Sequence, residues 1–208
     1  MALSNYGELK SAVANLLNRE DLTANIPDWI SITTAMINRD TKFRNRLMEA
    51  STDLAFTSNE VTLPTDFLEA RTAVYLSSPR VRLEYLTPAQ FEDIYTSDSS
   101  GTPQQFTILG NKLKVGPFPG VGINLRLAYV QKVPALTTDA STNWVLDEHP
   151  DVLLYGACVG ASPFLGDDQR LQTFFGLYDR AAAELAGMDS RARWNGAPVR
   201  PTLSVAIV

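Results

Sequence analysis

The spacing of apolar residues changes twice along the chain, and this change constrains the fold more than any other feature. In residues 4–45 and again in 144–188, apolar side chains recur every three or four positions, as they do on one face of a helix. Between about Leu47 and Val133 they alternate with polar side chains, as they do in strands. The pattern predicts helices at both ends of an α+β chain and strands in the middle.

Two helical hairpins are predicted, one from each end of the helical pattern. Ser4 is the expected cap of the first helix, and the second begins near Thr23 or Asn25 with Pro27 in its first turn. The expected buried residues of these two helices are Tyr6, Leu9, Val13, Leu16, Leu17, Ile26, Trp29, Ile30, Thr33, Met36 and Ile37.

The C-terminal hairpin is predicted from Pro150 to about Ser162, where Pro163 ends the helix, and from a cap at Asp167 or Asp168 to Gly187. The first of these helices has a face of small residues, which lets a neighbouring helix approach closely. Those small residues are Gly156, Ala157, Gly160 and Ala161.

Turn chemistry divides the middle region into strands. Gly110-Asn111 between two apolar runs predicts a two-residue hairpin. Thr87-Pro88-Ala89-Gln90 is a capping box that predicts one short helix among the strands. Residues Val121–Tyr129 alternate most regularly, so this strand should have one face in water.

A helical hairpin alone leaves its apolar face in water, so the two hairpins are expected to pack together. We predict an antiparallel four-helix bundle from residues 1–45 and 144–188. Residues 46–143 are expected to form an inserted, mainly antiparallel β domain with the short helix. Residues 189–208 fit neither pattern and are expected to form an extended C-terminal arm.

The chain has one His and one Cys, which excludes a disulfide framework and zinc sites with several such ligands. His149, in Asp147-Glu148-His149-Pro150, is either a general base or a residue at a helix start, and the second interpretation is favoured. Cys158 lies in an apolar run and is expected to be a buried thiol.

The acidic residues do not form a specific motif. Asp147, Glu148 and Asp151 can suit a hard cation, but they also suit the positive end of a helix. Glu84, Glu92 and Asp93 are candidates for glycoside hydrolysis only if geometry brings two of them together. The glycines at 110 and 116–122 match no phosphate-binding fingerprint. We therefore predict no catalytic, metal-binding or cofactor-binding residues.

The net charge is −5, which argues against a protein that clamps DNA through its phosphates. The first residues do not resemble a signal peptide, and no apolar run reaches the roughly 18 residues that a membrane span needs. A cytoplasmic site of synthesis and no membrane partner are expected.

Two groups of basic residues remain as interaction candidates. The first, at the end of the second helix, suits either a helix C-terminus or a patch facing an acidic partner or passing DNA; it comprises Arg39, Lys42, Arg44 and Arg46. The second combines arginines with Trp and an alternating apolar end. This composition suits insertion into a partner, which is favoured over a solvated tail or docking onto the same subunit. Its members are Arg191, Arg193, Trp194, Arg200, Leu203, Val205 and Ile207.

Several short motifs follow one another along the chain. They are Tyr6-Gly7-Glu8-Leu9-Lys10, Ile26-Pro27-Asp28-Trp29-Ile30, Ile37-Asn38-Arg39-Asp40, Leu63-Pro64-Thr65-Asp66-Phe67, Leu83-Glu84-Tyr85-Leu86-Thr87-Pro88, Phe106-Thr107-Ile108-Leu109-Gly110-Asn111, Asn143-Trp144, Asp151-Val152-Leu153-Leu154-Tyr155 and Asp167-Asp168. In this order and spacing they resemble the head-to-tail adaptor proteins of tailed phages. The similarity covers about residues 2–188.

This resemblance implies a non-enzymatic neck component of the virion, similar to the tail tubular A or adaptor proteins of short-tailed phages. Such proteins form a dodecameric ring beneath the portal, seal the filled head, continue the DNA channel without binding DNA specifically, and carry the tail nozzle and often the fibres. Assembly in the bacterial host cytoplasm is implied. Another tail or completion protein, or a carbohydrate-active enzyme, remains as an alternative.

Overall fold

A computed structural model of the protein describes residues 3–96, 100–118, 120, 122–166 and 169–193. The chain divides into two compact units. Residues 1–46 and 136–208 make up the helical unit, and residues 47–135 make up the strand unit. Within the described ranges, no helix has both the length and the apolar character to cross a membrane.

Helices and strands follow the order that the hydrophobic spacing predicts. Short 3₁₀ turns at Glu20–Asn25, Thr41–Phe43 and Arg46–Met48 connect some of them. The elements are α1 (Tyr6–Leu17), α2 (Ile26–Arg39), β1 (Glu49–Phe56), β2 (Glu60–Thr62), β3 (Phe67–Tyr75), β4 (Val81–Tyr85), α3 (Pro88–Ile94), β5 (Gln105–Leu109), β6 (Lys112–Gly116), β7 (Ile123–Gln131), α4 (Trp144–Glu148), α5 (Pro150–Gly160), α6 (Ser162–Leu165) and α7 (Arg170–Arg193).

The cap of α1 differs from the predicted one. Asn5 is the N-cap, and its side-chain Oδ1 accepts a hydrogen bond from the backbone N–H of Glu8 at 2.9 Å. Ser4 instead donates its own backbone N–H to the Glu8 carboxylate at 2.7 Å. At the other end, Asn18 adopts the left-handed conformation with φ 52° and donates its N–H to the Ala14 carbonyl. Both ends of α1 are therefore stabilised by local hydrogen bonds.

Helix α5 is the centre of the helical unit, because it contacts α1, α2 and α7. The predicted close approach is confirmed at Gly156, where an added Cβ would lie 2.4 Å from Cγ2 of Thr33 on α2. At Gly160 the same construction places Cβ 3.2 Å from Cβ of Trp29. The side chains on α5 that are fully shielded from solvent are Val152, Leu153, Ala157 and Cys158.

The predicted antiparallel four-helix bundle is wrong, although the chain is α+β. A helix in such a bundle buries one stripe, whereas α5 is apolar on several faces and is surrounded by three helices. The helices α1 and α2, predicted to pair with each other, both pack mainly against α5. The hairpin pattern identified the helices but not the one that lies at the centre.

The last helix is longer than predicted. Gly187 does not end it, and α7 continues to Arg193. Residues 189–193, predicted to begin the arm, therefore have helical backbone. The predicted caps Asp167 and Asp168 and residues 194–208 of the arm lie outside the described residues.

The strand unit is one seven-stranded sheet in the order β1-β7-β3-β4-β5-β6-β2. All neighbouring strands run antiparallel except β4 and β5, which α3 connects as a crossover. The two edge strands, β1 and β2, contact each other, so the sheet is nearly closed. This nearly closed, seven-stranded sheet corrects the expectation of a β domain inserted into a four-helix bundle.

Two local predictions in the strand unit are confirmed. Thr87 and Gln90 form the capping box of α3, each side chain bonding the other's backbone. Gly110, with φ 60°, and Asn111 form the turn between β5 and β6. Side chains from one face of the sheet form the core, which comprises Leu54, Phe56, Leu63, Ala73, Leu83, Phe106, Leu113, Val115, Leu125, Leu127 and Tyr129.

Candidate interaction surfaces

A groove of about 730 Å³ lies in the strand unit where β3 separates from β4. The two strands pair only from Ala73 to Tyr75 on β3, and the register of β3 against β7 shifts twice before that point. Such β-bulges bend a strand away from its neighbour. The residues that line the groove are Phe67, Leu68, Glu69, Ala70, Arg71, Thr72, Arg82, Leu83, Glu84, Tyr85, Phe106 and Ile108.

The groove combines an apolar floor with charges of both signs. Tyr85 is 51% exposed and its ring packs edge-on against Phe106, with 5.5 Å between the centroids. A general acid needs a carboxyl group whose pKa is raised. The carboxyl groups with a clear shift in the described residues are Asp21, Asp40 and Asp53, and their pKa values are lowered. None of these three carboxyl groups lines the groove.

The acidic candidates from the sequence lie apart. Glu84 lines the groove, whereas Glu92 lines a separate cavity of about 290 Å³ and pairs with Lys114 at 3.2 Å. Asp147 accepts a hydrogen bond from Thr142 and lies in the first turn of α4, and Asp151 lies in the first turn of α5. In the described ranges, no three His, Cys, Asp or Glu residues are grouped as metal ligands.

His149 and Cys158 have structural positions. His149 joins α4 to α5: its N–H donates to Val145 at 2.7 Å and its carbonyl accepts from Val152 at 3.2 Å. Cys158 is fully buried, and this burial raises the pKa of its thiol to about 12. The thiol is therefore protonated at neutral pH and is a poor nucleophile.

The predicted basic patch follows the end of α2, but its members differ in exposure. Arg39 is the exposed last residue of α2, and Arg46 is also exposed. Lys42 pairs with Asp40 at 3.0 Å. Arg44 is half-buried and donates to the Asn38 carbonyl at 2.8 Å. The structure thus places these cations near each other in the chain without aligning all four toward solvent.

The predicted arm residues are mostly outside the described part of the chain. Arg191 and Arg193 lie in the backbone of the last turns of α7. Their side chains lie outside the described residues, as do the following residues of that set: Trp194, Arg200, Leu203, Val205 and Ile207.

An apolar surface on the helical unit was missed by the sequence analysis. Met36, expected to be buried, is 40% exposed, and Ile32 is 55% exposed one turn earlier on α2. Both lie to one side of the buried stripe of α2 on a helical wheel, which is the signal that could have identified them.

A second apolar feature is a groove of about 340 Å³ beside α1 in the same unit. It is lined by Leu3, Ala12, Asn15 and Leu16 from the N-terminal region and by Leu154 from α5. Exposed apolar patches of this kind are typical of surfaces that bind other proteins.

Comparison with known proteins identifies the family. No curated protein matches the chain. The family model described as SU10 adaptor protein matches residues 4–202, which is nearly the whole sequence. The match agrees with the resemblance that the sequence motifs carry and extends it over most of the predicted arm. The chain therefore belongs to the SU10 adaptor protein family and is a phage head-to-tail adaptor.

Proposed function

We propose that this protein forms a ring, dodecameric as the resemblance implies, in the neck of the virion between the portal and the tail nozzle. The ring seals the filled head and continues the DNA channel. Membership of the adaptor family over residues 4–202 carries this proposal. The protein acts through its surfaces rather than by catalysis, and it assembles in the cytoplasm of the bacterial host.

The exposed apolar features of the helical unit support assembly from many copies. A ring requires two different faces of each subunit, one for each neighbour. The residues Ile32 and Met36 on α2 and the groove beside α1 are two such faces. The groove between β3 and β4 is available for a further partner, such as the nozzle or a fibre.

The charge of the protein suits a channel through which DNA passes. With a net charge of −5, the subunit repels the phosphate backbone overall. DNA can then slide through the ring without being held by it. Arg39 and Arg46 are candidates for local contacts with passing DNA or an acidic partner.

The arm is proposed to bind the portal. Arg191, Arg193, Trp194 and Arg200 supply the side-chain types that anchor interfaces. The alternating residues Leu203, Val205 and Ile207 suit pairing with an exposed strand edge of the portal.

Electron microscopy of the protein mixed with the portal of the same phage tests the ring. We expect a closed ring on the tail side of the portal. Density at the distal end of the tail instead would identify a nozzle or completion protein and contradict the proposal.

Deleting residues 194–208 tests the arm, because this truncation leaves α7 complete. The truncated protein should keep the circular dichroism spectrum and melting behaviour of a folded chain and lose portal binding. Portal binding at full strength would show that residues 194–208 are not the anchor.

A further inference from the structure

The exposed face of α2 carries an ordered stripe of charge and apolar surface. Asp28, Ile32, Met36 and Arg39 follow one another at intervals of four, four and three residues, so they lie along one side of the helix. Asp28 and Arg39 are exposed, as are the two apolar residues between them. The stripe spans about 16 Å, from an acid at the start of α2 to a base at its end.

The outer face of α1 has the same order of residue types. Glu8, Ala12 and Leu16 follow at intervals of four residues, and Arg19 lies just beyond the end of the helix. Here the apolar part is concave, because Ala12 is small and the groove of about 340 Å³ opens beside it toward Leu154.

These two surfaces are complementary when the helices run antiparallel. In that orientation Arg39 meets Glu8, so this end of the contact joins opposite charges. At the other end Asp28 faces Arg19, which also pairs with Asp21 of its own subunit at 2.7 Å. Between the ends, the large side chains of Ile32 and Met36 face Leu16 and the groove at Ala12. Antiparallel helices also place opposite ends of their dipoles side by side.

Among the described residues, both surfaces are exposed in the same subunit, so a second copy can reach each of them. A contact between two different faces repeats from copy to copy, and it closes into a ring when the rotation permits. We propose that the α2 stripe of one copy docks antiparallel into the groove between α1 and α5 of the next copy. This inference rests on the proposed ring and names the surfaces that form it.

Disulfide cross-linking in the ring on the portal tests the contact. A variant with both Ile32→Cys and Leu16→Cys should form a ladder of cross-linked oligomers under oxidation, because each subunit then bonds to both neighbours. The native Cys158 is fully buried and does not interfere. An equimolar mixture of the two single-cysteine variants should stop at dimers.

Two results of the cross-linking would overturn the inference. One is the absence of a ladder from rings that electron microscopy shows to be closed. The other is efficient dimer formation by Ile32→Cys alone, which would indicate a symmetric contact of α2 with itself. If the wild-type protein forms no ring on the portal, the proposed function fails instead.

Charge reversal provides a second measurement that does not depend on cysteine geometry. Glu8→Arg and Arg39→Glu should each reduce the yield of rings roughly tenfold, because like charges then face each other. The double variant should return to within about twofold of wild type, because the opposite charges are restored. Thermal unfolding checks that each variant is folded.

A matched control lies on α7, where Arg180 and Glu184 form an exposed ion pair at 3.2 Å. Arg180→Glu with Glu184→Arg should leave the ring yield unchanged. An equal loss in Glu8→Arg, Arg39→Glu and their combination would contradict the pairing, because only a direct contact is rescued by the second change.

Discussion

The two units are stabilised in different ways. The helical unit joins segments from both ends of the chain, residues 1–46 and 136–208, around a helix whose glycine lets α2 approach closely. The strand unit is one continuous segment whose core consists of large side chains from the sheet. We therefore expect an added atom at Gly156 to destabilise the helical unit, and truncation of a large core side chain to destabilise the strand unit.

The tryptophans make this comparison measurable. All three, Trp29, Trp144 and Trp194, lie outside the strand unit. In a Trp194→Phe background, tryptophan fluorescence reports the helical unit, while the β signal in circular dichroism reports the strand unit.

The largest expected effect is a cavity in the strand unit. Phe56 on β1 is fully buried, and Phe56→Ala should reduce the free energy of unfolding by about 3–5 kcal/mol. Chemical denaturation followed by circular dichroism measures this loss. Val61→Ala, at a partly buried position of the same unit, should reduce the free energy of unfolding by less. An equal reduction would contradict the central place of Phe56 in the core.

The next effect comes from one added methyl group in the helical unit. Gly156→Ala places Cβ against Thr33, whose branched side chain is buried and cannot rotate away easily. We expect a loss of about 1–3 kcal/mol in the fluorescence-detected transition. Adding Thr33→Ala should recover part of that loss, because it removes the opposing atoms.

Gly176 on α7 is the matched control for this change, because nothing lies near its added Cβ. Gly176→Ala should stabilise the protein by up to about 1 kcal/mol through helix propensity. If Gly156→Ala were equally stabilising, α2 and α5 would not be as close as the structure places them.

A smaller effect is expected for the corresponding glycine of the strand unit. In Gly116→Ala, Cβ would lie 2.5 Å from Cε2 of Tyr95, but this ring is half-buried and can move outward. The loss in the free energy of unfolding should be about 1 kcal/mol, at the low end for overpacking. This loss includes weakening of the hydrogen bond from Tyr95 to Gln105 when the ring moves. A loss larger than that of Gly156→Ala in chemical denaturation would reverse the comparison between the units.

The smallest effect concerns a surface ion pair. Arg126 donates to Asp53 at 2.7 Å and lowers the pKa of that carboxyl group below 3.8, its ordinary value. A lowered pKa contributes stability above the unfolded value, and this contribution is lost as the pH falls through the folded value. The free energy of unfolding of Asp53→Asn should therefore be slightly lower than that of wild type at neutral pH. The two values should converge in acid.

Urea melts of both proteins between pH 2 and pH 7 measure this difference. Because the pair is exposed, added salt should reduce it. A difference that persists in acid would assign the effect of Asp53→Asn to something other than charge.

Several features that depend on a few neighbouring residues were predicted correctly, although the cap at Ser4 and the helix end at Gly187 were not. The capping box at Thr87 and Gln90 and the turn at Gly110-Asn111 arise from local hydrogen bonds and backbone preferences. The small residues at Gly156 and Gly160 predicted a close approach, although not which helix approaches. The strand β1 was not identified individually, because Glu49–Phe56 has few apolar residues in alternation.

The candidate surfaces were harder to predict than the elements. Met36 has the residue type and nearly the spacing of a buried position, but it is 40% exposed where α2 packs against α5. The groove between β3 and β4 depends on two register shifts of β3 against β7, and no local sequence motif predicts them. The arm residues were identified from composition, and their role stays a prediction.

By itself, the sequence determined where helices and strands occur, how several of them begin and end, and the family to which the chain belongs. These features follow from periodicity and short-range chemistry, which each segment carries on its own. The tertiary structure decided that α5 is central, that the sheet nearly closes, and that α1 and α2 each keep one face exposed. Those outcomes depend on which distant segments bury each other's apolar surface, and burial is a property of the whole chain rather than of any one segment.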